Sequence, residues 1–131
     1  MTTALSRCLQ EAAAAIDAAA QRLNPQQVEA ALTLLEACRK RRAKQVISGV
    51  GKSGIVAREI AATFSSVGLT AVFLNPVDAL HGDLGIVNSE DVALLLSHSG
   101  EADELLAILP HLKGRGTARM ALVGRVNSSL A

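Results

Sequence analysis

The stretch Gln45-Val46-Ile47-Ser48-Gly49-Val50-Gly51-Lys52-Ser53-Gly54 passes from an apolar run directly into a glycine-rich turn. Beyond it, Ile55, Val56, Ile60, Phe64 and Val67 recur at helical spacing before Gly68. A short apolar run bounded by glycine reads as a buried strand, so residues 45–50 predict a strand and residues 55–67 a helix stopped by Gly68. The pattern then returns. An apolar run at 91–96 leads into Ser97-His98-Ser99-Gly100-Glu101, and a helical pattern covers 101–112. Residues 69–74 and 118–123 supply two more strands, while 77–84, after the Asn75-Pro76 break, read as short and irregular. Strands alternating with helices imply a parallel sheet covered on both faces. The expectation is an α/β fold, a three-layer αβα sandwich with a flavodoxin-like strand order.

Upstream, Leu5, Leu9, Ala12, Ala13, Ile16 and Leu23 follow helical spacing in an alanine-rich segment. Asn24 can cap a second helix and Pro25 suits its first position, with Val28, Ala31, Leu32 and Leu35 as its stripe. Residues 1–42 therefore predict an N-terminal helical hairpin and residues 43–131 the sheet-bearing domain. The cations at 39–42 read as a solvated helix end, meeting the negative end of the dipole. At the other end, Asn127-Ser128-Ser129-Leu130-Ala131 resembles a helix start without its helix, which reads as a chain interrupted inside a unit.

Composition narrows the function. Of 131 residues, 13 are basic and 12 acidic, so no long-range field favours nucleic acid or an anionic membrane. Phe64 and Phe73 are the only aromatic residues, too few for a base-stacking platform or a membrane-interface belt. Neither a secretory signal pattern nor an apolar run of membrane-spanning length is present, and the expected setting is the cytoplasm. Cys8 and Cys38 lack metal-ligand spacing and read as reduced packing thiols.

The two turns carry the chemistry. Amides at a helix start converge and bear partial positive charge, which makes each turn a potential anion cradle. The first turn fits G-x-G-x-x-G and contains Gly-Lys-Ser, yet neither nucleotide motif holds. A P-loop needs glycine five positions before Gly51, where Val46 stands, and a Rossmann site needs an acid ending the second strand, where Asn75-Pro76 stands. In a flavodoxin-like order the first and third strands are neighbours, so both turns flank the switch point. Ser97 and Ser99 then offer hydroxyls, Gly51 and Gly100 belong to backbone that offers amides, and Lys52 adds a positive charge to one phosphate. Helix capping alone explains a single serine, but not Ser-x-Ser-Gly after a buried strand.

With Gly49-Val50-Gly51-Lys52-Ser53-Gly54, Ala61-Ala62-Thr63-Phe64-Ser65-Ser66, Asp78-Ala79-Leu80-His81-Gly82-Asp83-Leu84-Gly85 and Ser97-His98-Ser99-Gly100-Glu101, the chain resembles the sugar isomerase (SIS) domain. Within that family it is similar to arabinose-5-phosphate isomerases of lipopolysaccharide sugar synthesis. The resemblance implies interconversion of ribulose 5-phosphate and arabinose 5-phosphate through an enediol, without a nucleotide cofactor; a metal is not expected, because His81 and Asp83 alone lack a convincing ligand set. It places Lys52 and Glu101 in the active site, His81 at the sugar, and Ser53, Ser97 and Ser99 on the phosphate. His81 reads as a proton shuttle, a sugar donor or a metal ligand with His98; Lys52 as a stabiliser of enediolate charge or a phosphate ligand. Glu101, expected in a helix's first turn, is favoured as the anion, which makes it a weaker base and leaves orientation of sugar hydroxyls equally open. The resemblance also implies a homo-oligomer. Relatives continue into a further strand, another glutamate and a later histidine, so the expectation for this polypeptide alone is little isomerase activity. The alternative expectation is a phosphosugar sensor that binds without turnover.

Overall fold

The computed structural model describes residues 3–131, which divide after Leu32 into two compact units. In the first unit, helix α1 spans Ala4–Arg22, and the Thr3 side chain accepts from the Ser6 amide to cap it. Leu5, Leu9 and Ile16 stand 70%, 63% and 71% exposed, so the apolar stripe of α1 forms no core. Cys8 is exposed as well, which corrects the expectation that it is a packing thiol. Helix α2, Pro25–Lys40, begins as its sequence predicts: Asn24 Oδ1 accepts from the Gln26 and Gln27 amides.

The second unit contains the sheet. Strands β1 (Gln45–Gly49), β2 (Ala71–Phe73), β3 (Val92–Ser97) and β4 (Ala118–Val123) are all parallel in the order β2-β1-β3-β4, the expected doubly wound topology. Helix α3 (Lys52–Ser66) follows β1, and helix α5 (Asp103–Gly114) follows β3. One face of the sheet sends Ile47 and Leu96 against Ala57 and Ala61 of α3. The other face sends Val46, Ala93 and Leu95 against Leu105, Ile108 and Leu112 of α5 and against Ala79. That alternation along β1 and β3 is the period of a strand buried on both sides, and it makes the three layers. Leu122 of β4 remains 58% exposed. Among the described residues no helix is long and apolar enough to cross a membrane.

Two elements differ from expectation. Residues 77–84 are not irregular: helix α4 spans Pro76–Leu80 and a 3-10 turn spans Asp83–Ile86. The Asn75 side chain caps α4 by accepting from the Val77 and Asp78 amides, with Pro76 at the first helical position. Second, α5 starts at Asp103, so Glu101 precedes the N-cap residue Ala102. Asp103 and Glu104, not Glu101, occupy the acidic first turn.

At the lower edge of the sheet, Cys38 is fully buried and its thiol donates to the Lys44 carbonyl at 3.4 Å. Burial pushes that thiol above its ordinary pKa, so it serves as a neutral packing group.

Candidate functional site

β1 and β3 lie side by side with Gly49 opposite Leu96, so the glycine turn and the serine turn leave the sheet at the same edge. β2 lies on the far side of β1, and the strand order reverses between β1 and β3. That is the switch point at which doubly wound sheets open a crevice. The loop after β2, which carries His81, emerges at this edge too.

In the glycine turn the chain reverses within two residues. Gly51 adopts φ 58° and ψ −128°, a backbone conformation closed to side-chain-bearing residues. Gly49 and Gly54 meet at the strand–helix contact: a Cβ on Gly49 would lie 2.8 Å from the Ser53 carbonyl carbon and oxygen, and one on Gly54 would lie 2.7 Å from the Gly49 oxygen. The absence of both side chains lets α3 begin directly above β1. Lys52, exposed, is the first residue of α3, and Ser53, half-buried, is the second. Their position at a helix start is where amides lack intrahelical acceptors.

The serine turn is held by its own hydroxyls. Buried Ser97 ends β3 and its Oγ accepts from the Gly100 amide at 3.0 Å; half-buried Ser99 accepts from the Glu101 amide at 3.1 Å. Each hydroxyl oxygen is therefore engaged in shaping the turn, while its hydrogen is left to donate to an anion. Gly100, buried with φ 70°, makes the bend possible.

Glu101 is exposed, and its Oε1 accepts from the Ser129 amide at 2.7 Å. The Ser129 hydroxyl first, and its amide second, hold the carboxyl below the ordinary glutamate range. The expected anionic preference is present, but its source is Ser129, 28 residues away in sequence, and not the first turn of a helix. His81 is exposed at the end of α4, where its amide donates to the Asp78 carbonyl at 2.9 Å. Among the described residues no three His, Cys, Asp or Glu side chains gather as a metal-ligand set.

A cleft of about 200 Å³ opens beside the glycine turn, lined by residues that include Gly49, Gly51, Arg58, Phe73 and Asn75. It lies toward β2 and takes in Gly51 but not the serine turn. Reading α3 by its apolar positions misses Arg58, whose guanidinium lies 4.0 Å from the centre of the Phe73 ring. The sequence also gives no signal for Ser129: Asn-Ser-Ser reads as a cap, and the partner it finds is distant in the chain.

Residues 39–131 match the SIS domain. The chain is 37% identical over 131 residues to the arabinose 5-phosphate isomerase KpsF of Escherichia coli O6:H1, spanning all of this chain and 39% of that protein. It is 47% identical over 87 residues to the arabinose 5-phosphate isomerase GutQ of Salmonella typhimurium, which covers 66% of this chain and 27% of that one. Among solved structures, an E. coli CFT073 protein in complex with arabinose 5-phosphate superposes with a TM-score of 0.76 at 43% identity, over 82% of this chain and 56% of the other. The chain thus spans well under half the length of the two isomerases KpsF and GutQ.

Proposed function

Since the chain belongs to the SIS-domain family, we propose that its crevice binds a phosphosugar and forms part of the active site of an isomerase interconverting ribulose 5-phosphate and arabinose 5-phosphate. What carries the reading is the placement of two anion-cradling turns on adjacent strands at one switch point. The phosphate takes the hydroxyl hydrogens of Ser53, Ser97 and Ser99 and the amides of the Gly51 turn, whereas the Gly100 amide, expected to face the phosphate, donates to Ser97 Oγ and shapes the serine turn instead. Lys52 sets a positive charge beside it. In the reaction a proton moves between C1 and C2, the carbonyl and the alcohol exchange places, and the electrons balance within the substrate. Lys52 stabilises the negative charge of the enediolate or of the phosphate, and His81 serves as a donor to the sugar oxygens.

Calorimetry with arabinose 5-phosphate tests this directly. Binding is expected, and Lys52→Ala should weaken it at least about tenfold, the cost of losing one charge-assisted contact. A wild-type chain that takes up neither arabinose 5-phosphate nor inorganic phosphate overturns the reading.

The same reading extends to a homo-oligomer in the cytoplasm, with the exposed Leu5, Leu9 and Ile16 of α1 as apolar surface for a second copy. Sedimentation should give more than a monomer mass, and Leu9→Glu combined with Ile16→Glu should lower it. A monomeric wild type at high micromolar concentration refutes that extension.

A further inference from the structure

The serine turn does not stand alone: the segment 124–130 is laid over it and bonded to it at three points. The Gly124 amide donates to the His98 carbonyl at 3.0 Å, the Leu130 amide to the Gly100 carbonyl at 3.0 Å, and the Ser129 amide to the Glu101 carboxylate at 2.7 Å. Leu130 is 9% exposed and belongs to the core cluster beneath α5, which anchors the segment by its apolar side chain. Contact is close enough that a Cβ on Gly100 would run into the Ser128 side chain. Glu101 is otherwise exposed, and a free glutamate on a turn samples several rotamers.

We propose that segment 124–130 is a positioning strap: through the Ser129 amide it fixes the Glu101 carboxylate in one orientation, so that Glu101 meets the sugar as a preset hydrogen-bond acceptor and not as the group that removes the proton. The inference rests on the phosphosugar reading and deepens it. One carboxylate oxygen is held by the strap, and the other remains to accept from a sugar hydroxyl. A carboxylate stabilised by an N–H donor is a poorer base than a free one, which separates positioning from proton abstraction. Ser129 itself touches no substrate in this scheme; it acts through Glu101.

Three variants and two ligands test the strap. Ser129→Pro removes both the hydroxyl and the amide hydrogen, Ser129→Ala removes the hydroxyl and keeps the amide, and Leu130→Ala loosens the anchor. Ser129→Pro is expected to weaken arabinose 5-phosphate binding about fivefold while inorganic phosphate changes less than about twofold, because phosphate does not need Glu101. Ser129→Ala should fall between the wild type and Ser129→Pro, and Leu130→Ala should shift the sugar phosphate in the same direction as Ser129→Pro. In parallel, NMR titration of the Glu101 side-chain carboxyl should show its pKa rising toward the ordinary value in Ser129→Pro and rising by less in Ser129→Ala. An unchanged titration, unchanged sugar-phosphate affinity, or equal losses for both ligands in Ser129→Pro overturns the proposal. If the wild type binds neither ligand, the phosphosugar reading fails and with it the sugar-facing role of Glu101. The titration then reports separately whether the strap holds the carboxylate.

Discussion

Replacing Asp91 by alanine should lower the unfolding free energy by about 3 kcal/mol at neutral pH, a large share of the roughly 5–15 kcal/mol that holds a domain of this kind together. Asp91 sits immediately before β3, and its side chain is 3% exposed. One oxygen accepts from the Lys44 amide at 3.0 Å; the other accepts from the Asn88 amide at 2.8 Å and from the Lys44 ammonium at 2.5 Å. The carboxylate thereby ties the starts of the two central strands, where the Val92 amide also donates to the Lys44 carbonyl. Alanine would leave two amides without their acceptor and an ammonium without its counter-ion. The Lys44 side chain, 18% exposed, can partly rehydrate, which keeps the cost at the lower end for a broken buried pair.

The pH dependence has a definite sign. Burial raises the Asp91 carboxyl pKa, but the hydrogen bond from the Lys44 side chain and those from the Asn88 and Lys44 amides outweigh it, so the folded value lies below the ordinary 3.8. A group depressed on folding stabilises fully above its unfolded value, and that contribution disappears as pH falls through the folded one. Urea melts of wild type and Asp91→Ala should therefore differ most above about pH 5 and converge in the acid range below 3.8. A constant gap across that range would show that packing, not charge, holds Asp91 in place. Because Asp91 lies at the sheet edge opposite the candidate site, the folded variant should keep the wild-type affinity for arabinose 5-phosphate.

The contrast between two Asn-Pro pairs shows why part of the structure was legible and part was not. Asn24-Pro25 precedes a long apolar stripe, so its helix-starting role is evident, and α2 begins there. Asn75-Pro76 has the same capping geometry, but the helix it opens has only five residues, too few to establish a period. The sheet order was legible because β1 and β3 are apolar on both faces and each is followed by a glycine-bearing turn; placement of both turns at one edge follows from topology alone. The Glu101–Ser129 pairing was not, because a contact over 28 residues with a backbone amide leaves no trace in either residue's type. The amphipathic pattern of α1 specified a helix, but periodicity reports which face is apolar, not whether anything in the chain covers it.

Gly49→Ala should abolish binding of both arabinose 5-phosphate and inorganic phosphate while costing about 2–3 kcal/mol of stability, within the range for inserting a methyl into a closed contact. Gly49 differs from Gly51 in kind. Gly51 requires glycine for its backbone angles, with open space around it, whereas Gly49 requires it for space. The atoms that a Gly49 Cβ would meet at 2.8–3.0 Å belong to the backbone of Ser53 and Gly54, so no side chain can swing aside. Either β1 or the first turn of α3 has to move, and β1 is pinned by β2 and β3 on either side. The displacement therefore falls on α3, carrying Lys52 and Ser53 away from the serine turn. Gly51→Ala, by contrast, is expected to cost roughly 1–3 kcal/mol in backbone strain at the turn itself and to leave the strand–helix contact closed. Calorimetry and thermal melts on the two variants separate these mechanisms. Should Gly49→Ala bind phosphate like the wild type, the close seating of α3 on β1 is not what assembles the cradle.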